Sequence, residues 1–233
     1  MCNESCILFV ARQLRVEDVH QRNVIELGAR GFSARPLLRS WGPAEYVGVD
    51  IDPGPGVDVV CSAEDMQTHF GSEQFDVVLS TEMLEHVRDW RRTVAGIKWV
   101  CKPGGIIVLT TRSLGYPFHA APHDYWRYET DDMRRIFSDF DPLSVESDLQ
   151  EPGVFVSARK PLTGYVPNDL GGIELYSMVE GRRTGTIPSG PVGGFRSRQL
   201  IWTGRLRQTV RAITETFRGR PPGLRFQVDV EKD

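Results

Sequence analysis

Three segments of the chain each follow a short apolar run and carry residue types suited to binding a nucleoside. In VIELGARG, Gly28 lets the backbone turn sharply and approach a ligand, and Glu26 places a carboxylate nearby that suits an ammonium group. In YVGVDID, Asp50 lies 22 residues after Gly28, where an acid hydrogen-bonds both hydroxyls of a ribose. In CSAEDM, the backbone at Ala63 and the side chain of Glu64 are suited to an adenine edge. Together the three segments predict an adenosine-shaped pocket.

The sequence of the glycine-containing segment distinguishes between two candidate cofactors that both contain adenosine. Seating a pyrophosphate on a helix N-terminus requires GxGxxG, as in proteins that bind NAD. The run that begins at Gly28 reads GARGFS, so the second and third glycines are missing or displaced. A carboxylate at Glu26 would also repel a pyrophosphate, whereas it suits the amino group of a methionine moiety. The sequence therefore favours S-adenosylmethionine over NAD.

The segment EMLEH follows the next apolar run and has the composition of a metal site. Glu82, Glu85 and His86 are spaced i, i+3 and i+4, which places them on one face if the segment is helical. Two carboxylates and an imidazole are a credible set of ligands for a divalent ion. The alternative is that His86 lines an acceptor pocket without any metal, and this metal-free arrangement is the one we expect.

Residues 115–129, GYPFHAAPHDYWRYE, are dense in polar and aromatic side chains. Aromatic walls with a few polar groups suit a sugar or another small polar acceptor. Imidazole titrates near neutral pH, so His123 and His86 are the candidate catalytic bases for a hydroxyl proton. The alternative is that Trp126 and Arg127 only hold this loop against the domain.

Alternating strands and helices must position these residues. Strands are predicted at 23–27, 46–50, 57–60, 75–80 and 106–111, and helices at 5–14, 32–40, 87–101 and 129–138. This alternation indicates right-handed βαβ units and a parallel sheet. Two further strands, 143–148 and 154–159, are joined by so short a link that they must be antiparallel. The predicted fold class is α/β, with a mostly parallel sheet closed by an antiparallel hairpin.

The charge distribution divides the chain near residue 160. Residues 1–160 hold 17 basic and 24 acidic side chains, a net charge of −7, whereas residues 161–233 hold 11 and 7, a net charge of +4. We expect one domain over 1–160 and a Gly/Pro-rich extension over 161–233, irregular as far as residue 195. An amphipathic helix is predicted over 199–218, where it would pack on its own domain or form a homodimer.

Composition excludes several classes of protein. The 233-residue chain is 40% hydrophobic and 25% charged, as expected of a globular protein. A net charge of −3 argues against DNA binding by bulk attraction. Neither a membrane-length apolar run nor a basic signal region is present, so a membrane role is not expected. The four cysteines lack metal spacing and are interpreted as reduced thiols of a cytoplasmic protein.

The segments VIELGARG, YVGVDID, SAEDM and FDVVLSTEMLEHV, with KPGG before IIVLTT, occur here in an order that resembles the class I S-adenosylmethionine-dependent methyltransferases. The chain looks most like the small bacterial and archaeal enzymes often called type 11, over residues 20–160. The resemblance implies a three-layer Rossmann-like fold with a seven-stranded sheet whose last strand is antiparallel. It also implies cofactor contacts at Glu26, Gly28, Asp50, Ile51, Ala63 and Glu64. The family commonly has GxGxG in the loop, so Arg30 at the second glycine position is a departure.

The resemblance further implies the transfer of a methyl group to a small polar acceptor. PHDYWRY looks like a segment found in methyltransferases of polysaccharide and natural-product pathways, which favours O-methylation of a sugar or natural-product intermediate. EMLEH is also similar to the metal-binding ExxEH of ubiquinone-pathway O-methyltransferases and of small-RNA 2′-O-methyltransferases. A metal-assisted RNA 2′-O-methyltransferase, requiring Glu82, Glu85, His86 and His123 to converge, is therefore one alternative. A non-catalytic protein that binds S-adenosylmethionine is the other.

Overall fold

The short apolar runs form one central sheet in the computed structural model, which describes residues 3–31, 33–120 and 122–188. The sheet has seven strands in the order β3-β2-β1-β4-β5-β8-β7. Their bounds are β1 Asn23–Leu27, β2 Glu45–Asp50, β3 Val59–Val60, β4 Phe75–Thr81, β5 Cys101–Arg112, β7 Asp141–Ser147 and β8 Gly153–Arg159. β1, β2, β3, β4 and β5 pair in parallel, whereas β8 runs antiparallel to both β5 and β7. The predicted sheet with a reversed last strand is confirmed.

Helices cover both faces of the sheet. They are α1 Glu4–Gln13, α2 Val16–Val19, α3 Arg35–Ser40, α4 Met66–His69, α5 Trp90–Val100 and α6 Thr130–Ile136. Adjacent strand residues point to opposite faces. Val77 accordingly packs in a core with Phe9 of α1, whereas Val78 packs in a second core with Ile97 of α5. Burial of both faces explains why the strands read as continuous apolar runs, and it produces three layers.

Several element boundaries differ from the sequence-based prediction, and two of them lie close to a proline. The helix predicted over 32–40 begins at Arg35, with Pro36 in its first turn. Strand β5 begins at Cys101 rather than at residue 106, and its pairing with β4 shifts register between Phe75 and Val77. The KPGG segment therefore lies within an irregular start of the strand, because pairing with a neighbour extends the strand past a local turn signal.

The segment after residue 160 is more ordered than predicted. Strands β9 (Leu175–Ser177) and β10 (Arg182–Thr184) form a three-stranded antiparallel sheet with β6 (Trp126–Arg127). Strands of two or three residues leave no readable periodicity, and they form here by pairing with distant residues. The irregular extension expected over 161–195 is therefore wrong for this part, although the domain division at residue 160 stays a prediction.

Some predictions concern residues outside the described ranges, and others can be compared with the structure. The helix predicted over 199–218, the homodimer through it, and Cys2 lie outside the described residues. Cys6, Cys61 and Cys101 are buried thiols rather than disulfides. Among the described residues, no helix has the length and apolar character needed to cross a membrane.

Candidate functional site

A cavity of about 310 Å³ opens at the carboxyl ends of β1, β2 and β4. This is the edge at which ligands bind in open α/β sheets, and the volume falls in the range of small-molecule sites. The lining residues are Leu27, Gly28, Arg30, Val49, Asp50, Ile51, Cys61, Ser62, Ala63, Glu64, Thr81, Glu82, Met83, His86, Val87, Arg88, Pro122, His123 and Tyr125. The three adenosine-type segments and both candidate catalytic histidines thus share one cavity.

Gly28 forms the tight turn that ends β1. Its φ of +76° lies in the left-handed region, and its N–H donates to the Val49 carbonyl at 2.9 Å. A Cβ at this position would come within 2.9 Å of the Met83 Cβ. Only glycine therefore satisfies both the backbone angle and the close approach of Met83.

Asp50 ends β2 with its carboxylate in the cavity. Its Oδ1 accepts from the Asp52 N–H at 3.1 Å and its Oδ2 accepts from the Arg30 N–H at 3.3 Å. These bonds hold the carboxylate in place and leave further lone pairs for ligand hydroxyls. The next residue, Ile51, is 59% exposed and gives the cavity an apolar wall.

Ala63 and Glu64 belong to a 3₁₀ turn, Ala63–Asp65, after β3. The Ser62 hydroxyl caps this turn by accepting from the Glu64 N–H at 3.2 Å. The Glu64 carboxylate accepts from the backbone N–H groups of Arg88 and Asp89, at 2.8 and 3.0 Å. Glu64 therefore lines the cavity and also ties this turn to the start of α5.

Glu26 is fully buried and is not a lining residue. Its Oε1 accepts from the Ala34 N–H at 3.2 Å, and its Oε2 accepts from the Tyr46 hydroxyl at 2.8 Å. Burial raises the pKa of Glu26, against the lowering effect of these hydrogen bonds. Through Ala34 and Tyr46 the carboxylate holds the loop that follows β1 against β2. Its expected contact with an ammonium group stays a prediction.

His86 and His123 both line the cavity and are hydrogen-bonded to each other. The His86 Nδ1 is 2.5 Å from the His123 carbonyl oxygen, so Nδ1 donates to that oxygen. The His123 ring is exposed and lies 5.3 Å from the Tyr125 ring, centroid to centroid. Both predicted bases thus line the same cavity as the adenosine-type segments, and their catalytic role stays a prediction.

Glu82 takes a different position from the one its spacing suggests. Only Leu84–His86 form a 3₁₀ turn, and Glu82 has a φ of +56°, so the EMLEH segment is not a regular helix. The buried Glu82 carboxylate pairs with the buried guanidinium of Arg112. Burial and the neighbouring charge of Glu85 raise the pKa of Glu82.

Glu85 lies deeper, between two imidazoles. Its Oε2 accepts from the Thr111 hydroxyl at 2.8 Å, while its Oε1 is 3.8 Å from the His86 Nε2 and 3.6 Å from the His119 Nε2. His119 Nδ1 in turn lies 3.3 Å from the Asp124 Oδ2. Burial opposes ionisation of Glu85, but its imidazole neighbours lower its pKa overall.

The Asp124 carboxylate completes this buried chain of charges. Arg127 binds it through two nitrogens, at 2.5 and 2.7 Å. Burial opposes ionisation, yet Arg127 and His119 lower the pKa of Asp124 to about 2. Burial would also lower the pKa of His119, but Asp124 and Glu85 raise it to about 9. The interpretation of Arg127 as a residue that holds the loop agrees with this geometry.

One group of metal-ligating side chains occurs among the described residues, and it differs from the predicted group. Glu85, His86 and His119 each offer a ligand atom, and these atoms lie within 4.8 Å of one another. Neither Glu82 nor His123 belongs to the group. The four residues that the RNA 2′-O-methyltransferase alternative requires therefore do not converge.

Sequence reasoning missed several residues of the site. Met83, Arg88 and Pro122 line the cavity, and Thr111 holds Glu85. Met83 lies within the EMLEH segment and Arg88 lies two residues after it, so their position in sequence was the available signal. The role of Thr111 depends on a contact across 26 residues, which no local pattern reveals.

A family model described as a methyltransferase domain matches residues 4–154. The chain therefore belongs to this methyltransferase family, and its sheet order and cavity are those of a class I S-adenosylmethionine-dependent methyltransferase. The comparison with curated protein sequences gives no match.

Solved structures share this fold at low sequence identity. A 1,6-didemethyltoxoflavin-N1-methyltransferase of Burkholderia thailandensis, bound to its acceptor and S-adenosylhomocysteine, has a TM-score of 0.54 and 15% identity, covering 67% of this chain and 76% of that one. A Listeria monocytogenes protein assigned to the S-adenosylmethionine-dependent methyltransferases gives 0.53 and 15%, over 67% and 98%. The [4+2]-cyclase SpnF gives 0.52 and 15%, over 67% and 80%. At these identities the likeness shows the fold alone.

Proposed function

We propose that the enzyme transfers a methyl group from S-adenosylmethionine to a hydroxyl of a small polar acceptor, such as a sugar or a natural-product intermediate. The observation that carries this proposal is one cavity whose lining includes Gly28 and Asp50 together with His86 and His123. A cofactor and an acceptor can meet in one such space with their reacting atoms in line. Positioning of this kind supplies a large part of catalysis.

The cofactor end of the cavity supports the assignment of individual contacts. Asp50 accepts the ribose hydroxyls, and the turn at Gly28 makes room for the methionine moiety beside Met83. Ile51 packs against the adenine ring, and the turn at Ala63 and Glu64 reads its edge. Glu26 acts on the methionine end through the loop that it braces.

The acceptor end supplies the candidate bases. The hydroxyl oxygen attacks the sulfonium methyl, the carbon–sulfur bond breaks, and the hydroxyl proton passes to an imidazole. His123 is exposed at the cavity, whereas the Nε2 of His86 lies 3.8 Å from the Glu85 Oε1. We therefore assign the larger share of proton removal to His123, with His86 as the second base.

We take the acceptor to be a small molecule, because a cavity of about 310 Å³ is in the range of small-molecule sites. Acidic character over residues 1–160 disfavours a nucleic-acid acceptor. Buried thiols at Cys6, Cys61 and Cys101 support a reducing compartment, in accord with the proposed cytoplasmic location.

The experiment is a methyl-transfer assay with methyl-labelled S-adenosylmethionine and a panel of sugars, nucleotide sugars, phenols and total RNA. Label should appear in a base-stable methyl ether of a small hydroxyl compound. His123→Ala should retain cofactor affinity and lower turnover by about 10²–10⁴-fold, the usual effect of losing a general base. His86→Ala should also lower turnover.

His69→Ala is the matched control, since His69 is exposed and is not a lining residue. Transfer of label to RNA and not to small hydroxyl compounds would contradict the proposed acceptor. Full turnover in both His123→Ala and His86→Ala would contradict the proposed bases.

A further inference from the structure

Two imidazole nitrogens and one carboxylate oxygen converge beside the cavity. The His86 Nδ1 donates to the His123 carbonyl, and the His86 Nε2 lies 3.8 Å from the Glu85 Oε1. The His119 Nε2 lies 3.6 Å from the same oxygen. Glu85 Oε1 is buried and makes no hydrogen bond within the described residues. A buried carboxylate oxygen without a hydrogen bond is unfavourable unless a positive charge faces it.

Each of these side chains is held by a partner on its far side. His86 Nδ1 has the His123 carbonyl at 2.5 Å, and His119 Nδ1 has the Asp124 carboxylate at 3.3 Å. Glu85 Oε2 accepts from the Thr111 hydroxyl at 2.8 Å. Metal-ligating histidines usually donate their second nitrogen to a carbonyl or a carboxylate in this way, and ligating carboxylates are likewise hydrogen-bonded. The arrangement therefore has both the ligands and the outer contacts of a metal site.

The balance of buried charge requires one positive charge beside Glu85. Glu82 is paired with Arg112, and Asp124 is paired with Arg127. Within the described residues, the ion-pair partners of Glu85 are the imidazoles of His86 and His119. A buried carboxylate needs a paired charge, so either an imidazolium or a metal ion must supply it.

We propose that Glu85, His86 and His119 form a binding site for a divalent transition metal of the zinc class, next to the acceptor end of the cavity. Imidazole nitrogen is a borderline ligand, so two imidazoles with one carboxylate favour Zn²⁺ or Co²⁺ over Mg²⁺ and Ca²⁺. The ligand atoms lie within 4.8 Å of one another, so small side-chain rotations bring them to one ion. The site leaves out Glu82, which Arg112 already neutralises.

This site changes what His86 does in the proposed reaction. With a metal bound, the His86 Nε2 is a ligand and proton removal passes to His123 alone. That consequence rests on the proposed function, whereas metal binding itself does not. The test below therefore measures binding without any methyl transfer.

The experiment titrates the full-length protein, stripped with EDTA and dialysed, with Co²⁺ and then with Zn²⁺. We expect one Co²⁺ per chain with the visible absorption of a nitrogen-ligated ion, and its displacement by Zn²⁺ in calorimetry. The loss of an outer contact alone typically weakens metal binding by about 10–100-fold. His119→Gln and Glu85→Gln remove ligands and should therefore weaken binding by more than this range. Thr111→Val should weaken binding within that range, and His69→Gln should leave it unchanged.

Circular dichroism and thermal unfolding show whether each variant folds. If the variants do not fold, a measurement on the unmodified protein still tests the proposal. With ¹⁵N-histidine labelling, Zn²⁺ should shift the ring nitrogens of two of the five histidines, and should not shift those of His69 or His123. No visible Co²⁺ band, undiminished binding in folded His119→Gln, or no ring-nitrogen shift would overturn the proposal. A proton on His119 would then be the charge that balances Glu85.

Discussion

At the scale of single residues, two acids that look alike in sequence have opposite environments. Glu26 and Asp50 both follow apolar strand residues, and both suit a cofactor by type. The structure buries Glu26 on the Tyr46 hydroxyl, whereas it leaves the Asp50 carboxylate on the cavity wall. We therefore expect direct recognition of the ribose to depend on Asp50.

Replacing Asp50 with alanine should weaken S-adenosylmethionine binding by about 1–3 kcal/mol, because the ribose hydroxyls lose their acceptor. This corresponds to roughly a 5- to 140-fold increase in Kd, measured by isothermal titration calorimetry. Asp52→Ala is the control, since Asp52 is exposed, pairs with Arg30 and is not itself a lining residue. Equal affinity in Asp50→Ala and Asp52→Ala would show that the ribose binds elsewhere.

Gly28 and Gly31 provide a matched pair in the same loop. Both have positive φ, +76° and +94°, so an alanine at either should cost about 1–2 kcal/mol of folding stability. Only at Gly28 would the added Cβ meet Met83, because nothing lies within 4 Å of the corresponding position at Gly31. We expect Gly28→Ala to lose cofactor affinity and Gly31→Ala to keep it, in the same calorimetric assay. The reverse order would refute the assigned turn.

At the scale of elements, one arginine fastens the segment after residue 160 to the main domain. Arg91 of α5 donates through Nε to the Leu170 carbonyl at 2.9 Å, and through its other nitrogens to the Ile173 and Gly185 carbonyls. The Met178 N–H also donates to the Tyr125 carbonyl at 2.7 Å. The small sheet of β6, β9 and β10 therefore stabilises the loop that carries Tyr125.

Arg91→Ala should loosen this small sheet, because the carbonyls of Leu170, Gly171, Ile173 and Gly185 lose a charged donor. We expect a loss of about 1–3 kcal/mol, seen as faster amide hydrogen exchange over β9 and β10. Arg92→Ala is the control, since Arg92 forms an exposed pair with Asp65 that contributes about 0.2–1 kcal/mol. Unchanged exchange over β9 and β10 in Arg91→Ala would mean that strand pairing alone holds the segment.

Prediction from sequence succeeded where an element's own residues determine it. The NVIEL and FDVVLS runs are buried on both sides, so their composition alone predicts β1 and most of β4. Strands β9 and β10 have three residues each and depend on contacts with β6, so no local pattern could indicate them.

At the scale of the whole molecule, two cores on opposite faces of the sheet fix the strands so that their carboxyl ends lie along one edge. Gly28, Asp50 and Glu82 thereby reach the same cavity from β1, β2 and β4, as the order of the strands predicts. The side-chain pairing within the site was less predictable. The spacing predicted that Glu82 groups with Glu85 and His86. In the structure Glu82 pairs with Arg112 instead, and the third member of the group is His119, from the loop after β5.

The central claim is that this cavity binds S-adenosylmethionine, and calorimetric titration of the full-length protein tests it most directly. Separate titrations would use S-adenosylmethionine, S-adenosylhomocysteine and NAD. We expect the first two ligands to bind at one site per chain and NAD to give no binding heat, since the loop lacks the glycines that seat a pyrophosphate. Binding of NAD without binding of S-adenosylmethionine would contradict the account.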